Sequence, residues 1–367
     1  MRLDWVGSLG WCVLISALVT GLIIATQRWH SRFTHDEQEG VQKFHIKPTP
    51  RVAGISIGIA FLGLVLLSRE DFGLATKLLL AGLPALVCGL WEDMSKRVSA
   101  RARLVVTLVS GLIIGYMLDI RVTRTGFEWL NLFLRDHLFI SVFITTVYIA
   151  GLSNATNIID GFNGLMLGFT MLACLTLAFV AYQVGDVAVC RLSLGFAAIV
   201  LGVFLFNFPL GKIFSGDGGA YFIGFFLSAM ALLLTRRNEA VSPMILGSVF
   251  IYPLFETVFS MYRRRVIQHR PMTQPDGLHL HSLVYRRIGR QLPVSAVFKN
   301  ASVAPFIWIL SAIPMIATLF FWYSHTILAL IIAMFIGLYI LLFRRLVSFR
   351  FRAFARFAGK MIRLISR

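Results

Sequence analysis

Four polar side chains recur at intervals of three in the run Asn154-Ala-Thr-Asn157-Ile-Ile-Asp160-Gly161-Phe-Asn163-Gly164, and long uncharged apolar stretches lie on either side. That spacing places them on one face of a helix end. Polar groups are costly at a membrane boundary unless they serve a function, and a carboxylate flanked by amides suits a metal ion or a polar ligand. Asn154, Asn157, Asp160 and Asn163 are therefore read as the floor of an active site. A second carboxylate, Asp217, stands in Gly216-Asp217-Gly218-Gly219. Asp160 and Asp217 each precede an apolar segment, beginning at Gly164 and Gly218, whose helical N-terminus would turn its unpaired N–H groups and positive dipole end toward an anion. The glycines remove side chains where a phosphate or nucleotide would approach the backbone. Carboxylates beside such helix ends make sense when a divalent cation bridges carboxylate to phosphate, as Mg²⁺ does. Helix capping explains one such Asp equally well. Two of them on one face, with no charged partner nearby in sequence, favour the metal.

Three further clusters have chemical content. Glu92-Asp93 ends an apolar run and precedes Lys96, Arg97, Arg101 and Arg103. It reads either as a salt-bridged loop or as a carboxylate at the membrane edge that orients or deprotonates a lipid head group. Lys47 and Arg51 flank Thr49, with Pro48 and Pro50 stiffening the backbone, and they suit either phosphate binding or a positive anchor at the membrane surface. His279 and His281 are two apart, which brings their rings together only if the segment is extended and disfavours a zinc pair at helical i, i+4 spacing. Beside Arg286 and Arg287 they suit a diphosphate or a nucleotide sugar.

The elements that must position these residues follow from composition. The chain has 367 residues, of which 57% are hydrophobic and only 14% charged, so it reads as all-α and polytopic in a membrane. Eleven apolar runs approach the length of a span: 5–27, 52–68, 73–91, 104–119, 137–153, 164–183, 187–207, 218–234, 242–262, 301–320 and 326–343. The run from Trp5 to Thr26 is read as a retained span rather than a cleaved signal. One transmembrane domain, 1–343, would carry the loops 28–51, 92–103, 154–163, 208–217 and 263–299, followed by a basic tail, 344–367. With the N-terminus outside, those loops and the tail hold 26 of the 35 Lys and Arg residues, as the positive-inside rule requires, and the tail is cytoplasmic. The tail resembles an interfacial amphipathic helix on anionic lipid. The formal charge of +18 is thereby assigned to lipid, not to nucleic acid. Cys12, Cys88, Cys174 and Cys190 lie within apolar runs and form neither a zinc motif nor a disulfide framework.

In this topology every cluster with chemical content falls on the cytoplasmic side and can share one site. A transporter or flippase of an anionic lipid or solute is the alternative, but it should place polar residues near the bilayer midplane in paired repeats, and no repeat is visible.

The ordered motifs Lys47-Pro-Thr-Pro-Arg51, Glu92-Asp93, Asn154 to Leu165, Gly216-Asp217-Gly-Gly and His279-Leu-His281 together resemble the polyprenyl-phosphate N-acetylhexosamine-1-phosphate transferases of glycosyltransferase family 4. That superfamily includes the enzymes that start O-antigen lipids and the phospho-MurNAc-pentapeptide translocase. The resemblance spans about residues 45 to 290 and is nearer the O-antigen type. It implies an enzyme of the bacterial inner membrane in which undecaprenyl phosphate attacks the β-phosphate of a UDP-N-acetyl sugar, releasing UMP, with Mg²⁺ or Mn²⁺. By position, Asp217 would ligate the metal, and Asp93, with Glu92 beside it, would bind or deprotonate the lipid phosphate. Asp160 with Asn157 would organise nucleotide and metal. Lys47 would bind phosphate, and His279 and His281 would hold the diphosphate or sugar. Three positions depart from the pattern: Glu92 replaces a first Asp, Asn163 a second Asp, and Ser282 a further His. Asn163 cannot act as a base, which makes Asp93 the better base candidate. Which N-acetyl sugar is taken depends on pocket geometry that spacing does not supply, and the oligomeric state, a homodimer included, is left open.

Overall fold

The computed structural model describes residues 3–34, 49–269, 271 and 277–348. Those residues form helices α1 (Leu3–Thr34), α2 (Gly54–Leu67), α3 (Phe72–Ser95), α4 (Ala100–Leu118), α5 (Glu128–Asp136), α6 (Leu138–Ile159), α7 (Leu165–Gln183), α8 (Val187–Asn207), α9 (Gly216–Arg237), α10 (Ile245–Ser248), α11 (Ile251–Tyr262), α12 (Leu280–Arg287), α13 (Ala296–Ala301), α14 (Val303–Phe321) and α15 (His325–Val347). Among the described residues, nine helical segments are long and apolar enough to cross a membrane, with α13 and α14 running on as one of them. The protein is an all-α, multi-pass membrane protein.

Two of the eleven expected spans take a different form. The 52–68 run yields α2, whose 14 residues reach only about 21 Å, short of a hydrocarbon core of about 30 Å. The 242–262 run is broken into α10 and α11, with Pro253 in the first turn of α11, where a missing N–H is tolerated. The long basic loop also contains the short helices α12 and α13, and α5 occupies a stretch expected to be loop. Lys47 and residues 349–367 of the tail lie outside the described residues.

Helix α9 is the axis of the bundle. Every residue from Gly216 to Thr235 is buried, and α3 and α6 flank it, with α2 and α7 beside them. In lipid, helices associate through close packing and interhelical hydrogen bonds, because tails and side chains are equally apolar. Both devices are present. Thr156 Oγ1 on α6 donates to the Ala220 carbonyl at 2.8 Å. A Cβ on Gly89 of α3 would stand 2.4 Å from Gly218, and one on Gly54 of α2 would stand 2.6 Å from the Gly219 nitrogen. Further along α9, Phe222 and Phe226 pack edge-on against Phe61 of α2, and Phe226 stacks on Phe196 of α8.

These contacts make the glycine faces intolerant of a single methyl. Gly89→Ala is expected to cost about 1–3 kcal/mol through forced separation of α3 and α9, seen as a lower thermal midpoint in detergent. Gly151→Ala, on a helical glycine with open space around it, should be neutral or slightly stabilising.

Candidate active site

The N-terminus of α9 is buried in the bundle and needs acceptors for its first N–H groups. Asp93, 1% exposed in the last turn of α3, supplies them. Its Oδ1 accepts the Asp217 N–H at 2.8 Å and its Oδ2 the Gly218 N–H at 3.0 Å. The helix begins at Gly216, whose φ of +69° favours glycine. A Cβ there would lie 2.0 Å from the Arg51 carbonyl oxygen and would strike the Asp93 carboxylate. The segment before α2 runs alongside the one before α9, with Phe214 N–H donating to the Pro50 carbonyl at 2.9 Å and Gly54 N–H to the Ser215 carbonyl at 3.0 Å.

This geometry changes the reading of Gly216, Gly218 and Gly219. The space their missing side chains leave is filled by α2, α3 and the Arg51 segment. The glycines therefore serve the approach of helices, not the approach of a phosphate to the backbone.

Asp217, buried in the first turn of α9, receives two guanidinium groups. Arg103 of α4 donates to its Oδ2, and Arg51 lies 3.8 Å from its Oδ1. The Tyr221 hydroxyl donates to Oδ2 at 3.3 Å, and Asn157 bonds to that hydroxyl in turn. Asp160 follows the last turn of α6 and is also buried. Burial pushes its carboxyl up to about 8; Arg51 opposes the shift, Asp93 and Asp217 add to it, and the Gly216 N–H opposes it. Its Oδ2 is buried with no hydrogen-bond partner among the described residues.

The other expected residues divide. Asn154 lies on α6, but its amide is tied to Thr107 at 3.2 Å and to the Ala150 carbonyl at 2.8 Å. Helix α6 ends at Ile159, so neither Asp160 nor Asn163 continues the helical face of Asn154 and Asn157. Its amide donates to the Pro209 carbonyl and its N–H to Asn300 Oδ1, both at 2.8 Å, which fixes the turn into α7. Glu92 accepts the Val98 N–H at 2.7 Å and shapes the α3–α4 loop. His279 is extended and Leu280 opens α12, and this one extended residue is enough to stack the two His rings, with centroids 5.2 Å apart. His281 meets Phe162 edge-on at 5.6 Å, which joins the His segment to the Asp160 turn.

Residues 75–235 match the model of glycosyl transferase family 4. Over 362 residues the chain is 27% identical to the Bacillus subtilis "probable undecaprenyl-phosphate N-acetylglucosaminyl 1-phosphate transferase", covering 95% of this chain and 96% of that one. It is 28% identical to the Thermotoga maritima undecaprenyl-phosphate alpha-N-acetylglucosaminyl 1-phosphate transferase, covering 68% and 72% of the two chains. A phospho-N-acetylmuramoyl-pentapeptide-transferase from Lactobacillus gasseri is 30% identical over a shorter stretch, 35% of this chain and 39% of that one. The segment 75–235 belongs to glycosyl transferase family 4.

The family 4 segment contains Asp93, Asp160 and Asp217 together with Arg103 and Tyr221, the partners of Asp217 that the sequence reading passed over. Arg103 looked like one more basic residue of a cytoplasmic loop, and Tyr221 like part of an apolar run; only its position four residues after Asp217, one helical turn on, hinted at contact. Among the described residues no three His, Cys, Asp or Glu side chains form a ready metal cage. A Mg²⁺ ion asks for less, since it takes one or two carboxylates and completes its shell with phosphate and water. The unpartnered oxygen of Asp160, with Asp217 and Asp93 close enough to raise its pKa, fits that requirement.

The Asp160 carboxyl also sets a pH dependence. Its pKa of about 8 in the fold stands above its ordinary 3.8. Below the lower value the group is neutral in both states. Between the two values it ionises only when the chain unfolds, so its contribution to stability is lost as pH rises through that window. Asp160→Asn should thus raise the thermal midpoint in chelator by several degrees at pH 8, with the gain vanishing toward pH 4. A gain independent of pH would contradict this account.

Proposed function

We propose that this chain transfers an N-acetylhexosamine 1-phosphate from a UDP-linked sugar to undecaprenyl phosphate. A phosphate oxygen of the lipid attacks the β-phosphorus, the bond from that phosphorus to the bridging oxygen breaks, and UMP leaves with the electron pair. The observation that carries this reading is the meeting of three carboxylates and two guanidiniums at the buried start of α9. Phosphoryl transfer needs little covalent help from protein; it needs positioned charge. Names borne by relatives in the same family support the choice of substrates.

Arg51 and Arg103 are engaged by Asp217. A diphosphate would compete for both, and fork-shaped guanidinium donors suit phosphate oxygens. Bound Mg²⁺, or Mn²⁺ in its place, supplies neutralisation of charge on the phosphate oxygens, and Asp217 and Asp160 are the residues that would hold it. Arg51 and Arg103 would then turn from Asp217 to the phosphate oxygens. Asn157 and Tyr221 orient Asp217. Asp93 uses both carboxylate oxygens to hold the α9 N-terminus, so its contribution to lipid phosphate binding runs through the helix end it fixes. Lys47, four residues before Arg51, adds a further phosphate-binding cation.

The reaction would be the first membrane step of O-antigen or another surface polysaccharide. It would occur on the cytoplasmic face of a bacterial inner membrane, with the N-terminus outside and the basic tail on anionic lipid.

The test is UMP release by the purified, detergent-solubilised chain given undecaprenyl phosphate, Mg²⁺ and a panel of UDP-N-acetyl sugars. Release should require lipid and metal and should fall about a hundredfold or more in Asp217→Asn, with insertion unchanged. Silence from folded wild-type protein across the panel overturns the reading.

A further inference from the structure

A second set of buried polar side chains lies where α11, α12 and α15 meet. Glu256 is 1% exposed, and its two oxygens serve three donors. Oε1 lies 2.9 Å from His279 Nδ1 and 3.3 Å from the Leu280 nitrogen. Oε2 lies 3.1 Å from the same nitrogen and 2.9 Å from the Tyr339 hydroxyl. Arg263, buried in the turn after α11, donates to the Leu278 carbonyl at 2.7 Å and lies 5.0 Å over the Phe343 ring, bringing a positive charge to the same set.

An ionised carboxylate can only accept hydrogen bonds. The Glu256–His279 contact therefore requires the proton on Nδ1, which leaves Nε2 as the nitrogen able to accept from, or when protonated donate to, a ligand. His281 is held less strictly: its Nδ1 faces the Tyr252 hydroxyl at 3.1 Å, and either partner can donate. Because the two rings stack with planes 12° apart, the ring that Glu256 fixes also sets the position of its neighbour, and through His281 the contact with Phe162 beside Asp160.

We propose that Glu256 is a positioning residue of the transfer site: with Tyr339 and the Leu280 N–H it holds His279 in the Nδ1–H tautomer, so that Nε2 meets the diphosphate or sugar of the UDP-linked substrate. The proposal rests on the transfer reaction above. It adds a carboxylate outside the ordered motifs and outside the segment that matches the family. In sequence, Glu256 reads as one charge inside an apolar run.

A carboxylate that merely ties three helices together and one that acts through His279 differ in a double-mutant cycle. Glu256→Gln and His279→Ala should each lower kcat for UMP release by about 10- to 100-fold, and the double variant should be no slower than His279→Ala alone. Losses that multiply overturn the proposal. A second readout needs no turnover: two-bond ¹H–¹⁵N spectra of wild-type protein labelled at histidine should show the His279 ring protonated at Nδ1, and Glu256→Gln should shift it toward Nε2–H. A wild-type ring protonated at Nε2 alone overturns the proposal, and the wild-type spectrum decides by itself if Glu256→Gln does not fold. If wild-type protein releases no UMP, the transferase reading fails, while the spectrum still tests whether Glu256 sets the tautomer.

Discussion

The start of α9 depends on one carboxylate. A helix buried along twenty residues in an apolar bundle has N-terminal N–H groups that need acceptors, and an unsatisfied amide in a low-dielectric interior costs more than an ordinary hydrogen bond gains. Asp93 takes two of them, and its negative charge also opposes the positive end of the helix dipole. To reach them, α3 must lie against α9 at a separation only Gly89 and Gly218 permit, and α2 must do the same through Gly54 and Gly219. The close packing of three helices and the placement of a carboxylate are thus a single constraint. Its result is a first turn of α9 from which Asp217 meets Arg51, Arg103 and Tyr221.

The charge balance of the cluster gives it a chemical bias. Among the described residues three carboxyl groups, Asp93, Asp160 and Asp217, meet two guanidiniums, Arg51 and Arg103, and the surplus shows at Asp160, whose carboxyl keeps its proton up to about pH 8 and whose Oδ2 has no partner among them. A site with a spare buried carboxylate and two guanidiniums held by another carboxylate favours a ligand that brings both signs. A metal–diphosphate does so, because its cation relieves the carboxylates while its oxygens take the guanidiniums. A neutral solute would leave the imbalance in place, and a lone anion would worsen it.

Much of this was legible in the sequence, for identifiable reasons. Long apolar runs announce spanning helices whatever their packing, and three aspartates among them stand out because hydrocarbon tolerates so few. The interruption of α10 and α11 was less visible, since the 242–262 run is apolar throughout and Pro253 alone does not reveal whether a helix kinks or restarts. The glycines of 216–219 were seen but misread: sequence shows that a side chain is absent, not which body fills the space, and here it is another helix. Asn163 followed the period of a helix that stops at Ile159, and beyond it the period no longer places side chains on a common face, while Asn154, inside that helix, has its amide tied to Thr107 and the Ala150 carbonyl. Arg103 and Glu256 were missed because their significance lies in pairing across 114 and 23 residues, with Asp217 and His279 respectively.

The two polar sets are built on different helices, yet one turn touches both. The carboxylate cluster is held by α2, α3, α4, α6 and α9, and the His pair by α11, α12 and α15. The turn after α6 connects them: Asp160 contributes to the first, and Phe162, two residues later, packs on His281 and on Tyr285 of the second. Asn163, next in the chain, is anchored on Asn300 and Pro209, and the Gly164 N–H is held by Asn207 at 2.5 Å. The turn is thus pinned at its far end, while its near end lies between Asp160 and the His rings. This gives Asn163 a physical role in a position where a carboxylate would be the alternative. An amide donates to the Pro209 carbonyl, which an ionised carboxylate cannot do. The residue that departs from the expected Asp thereby anchors the turn that touches both polar sets.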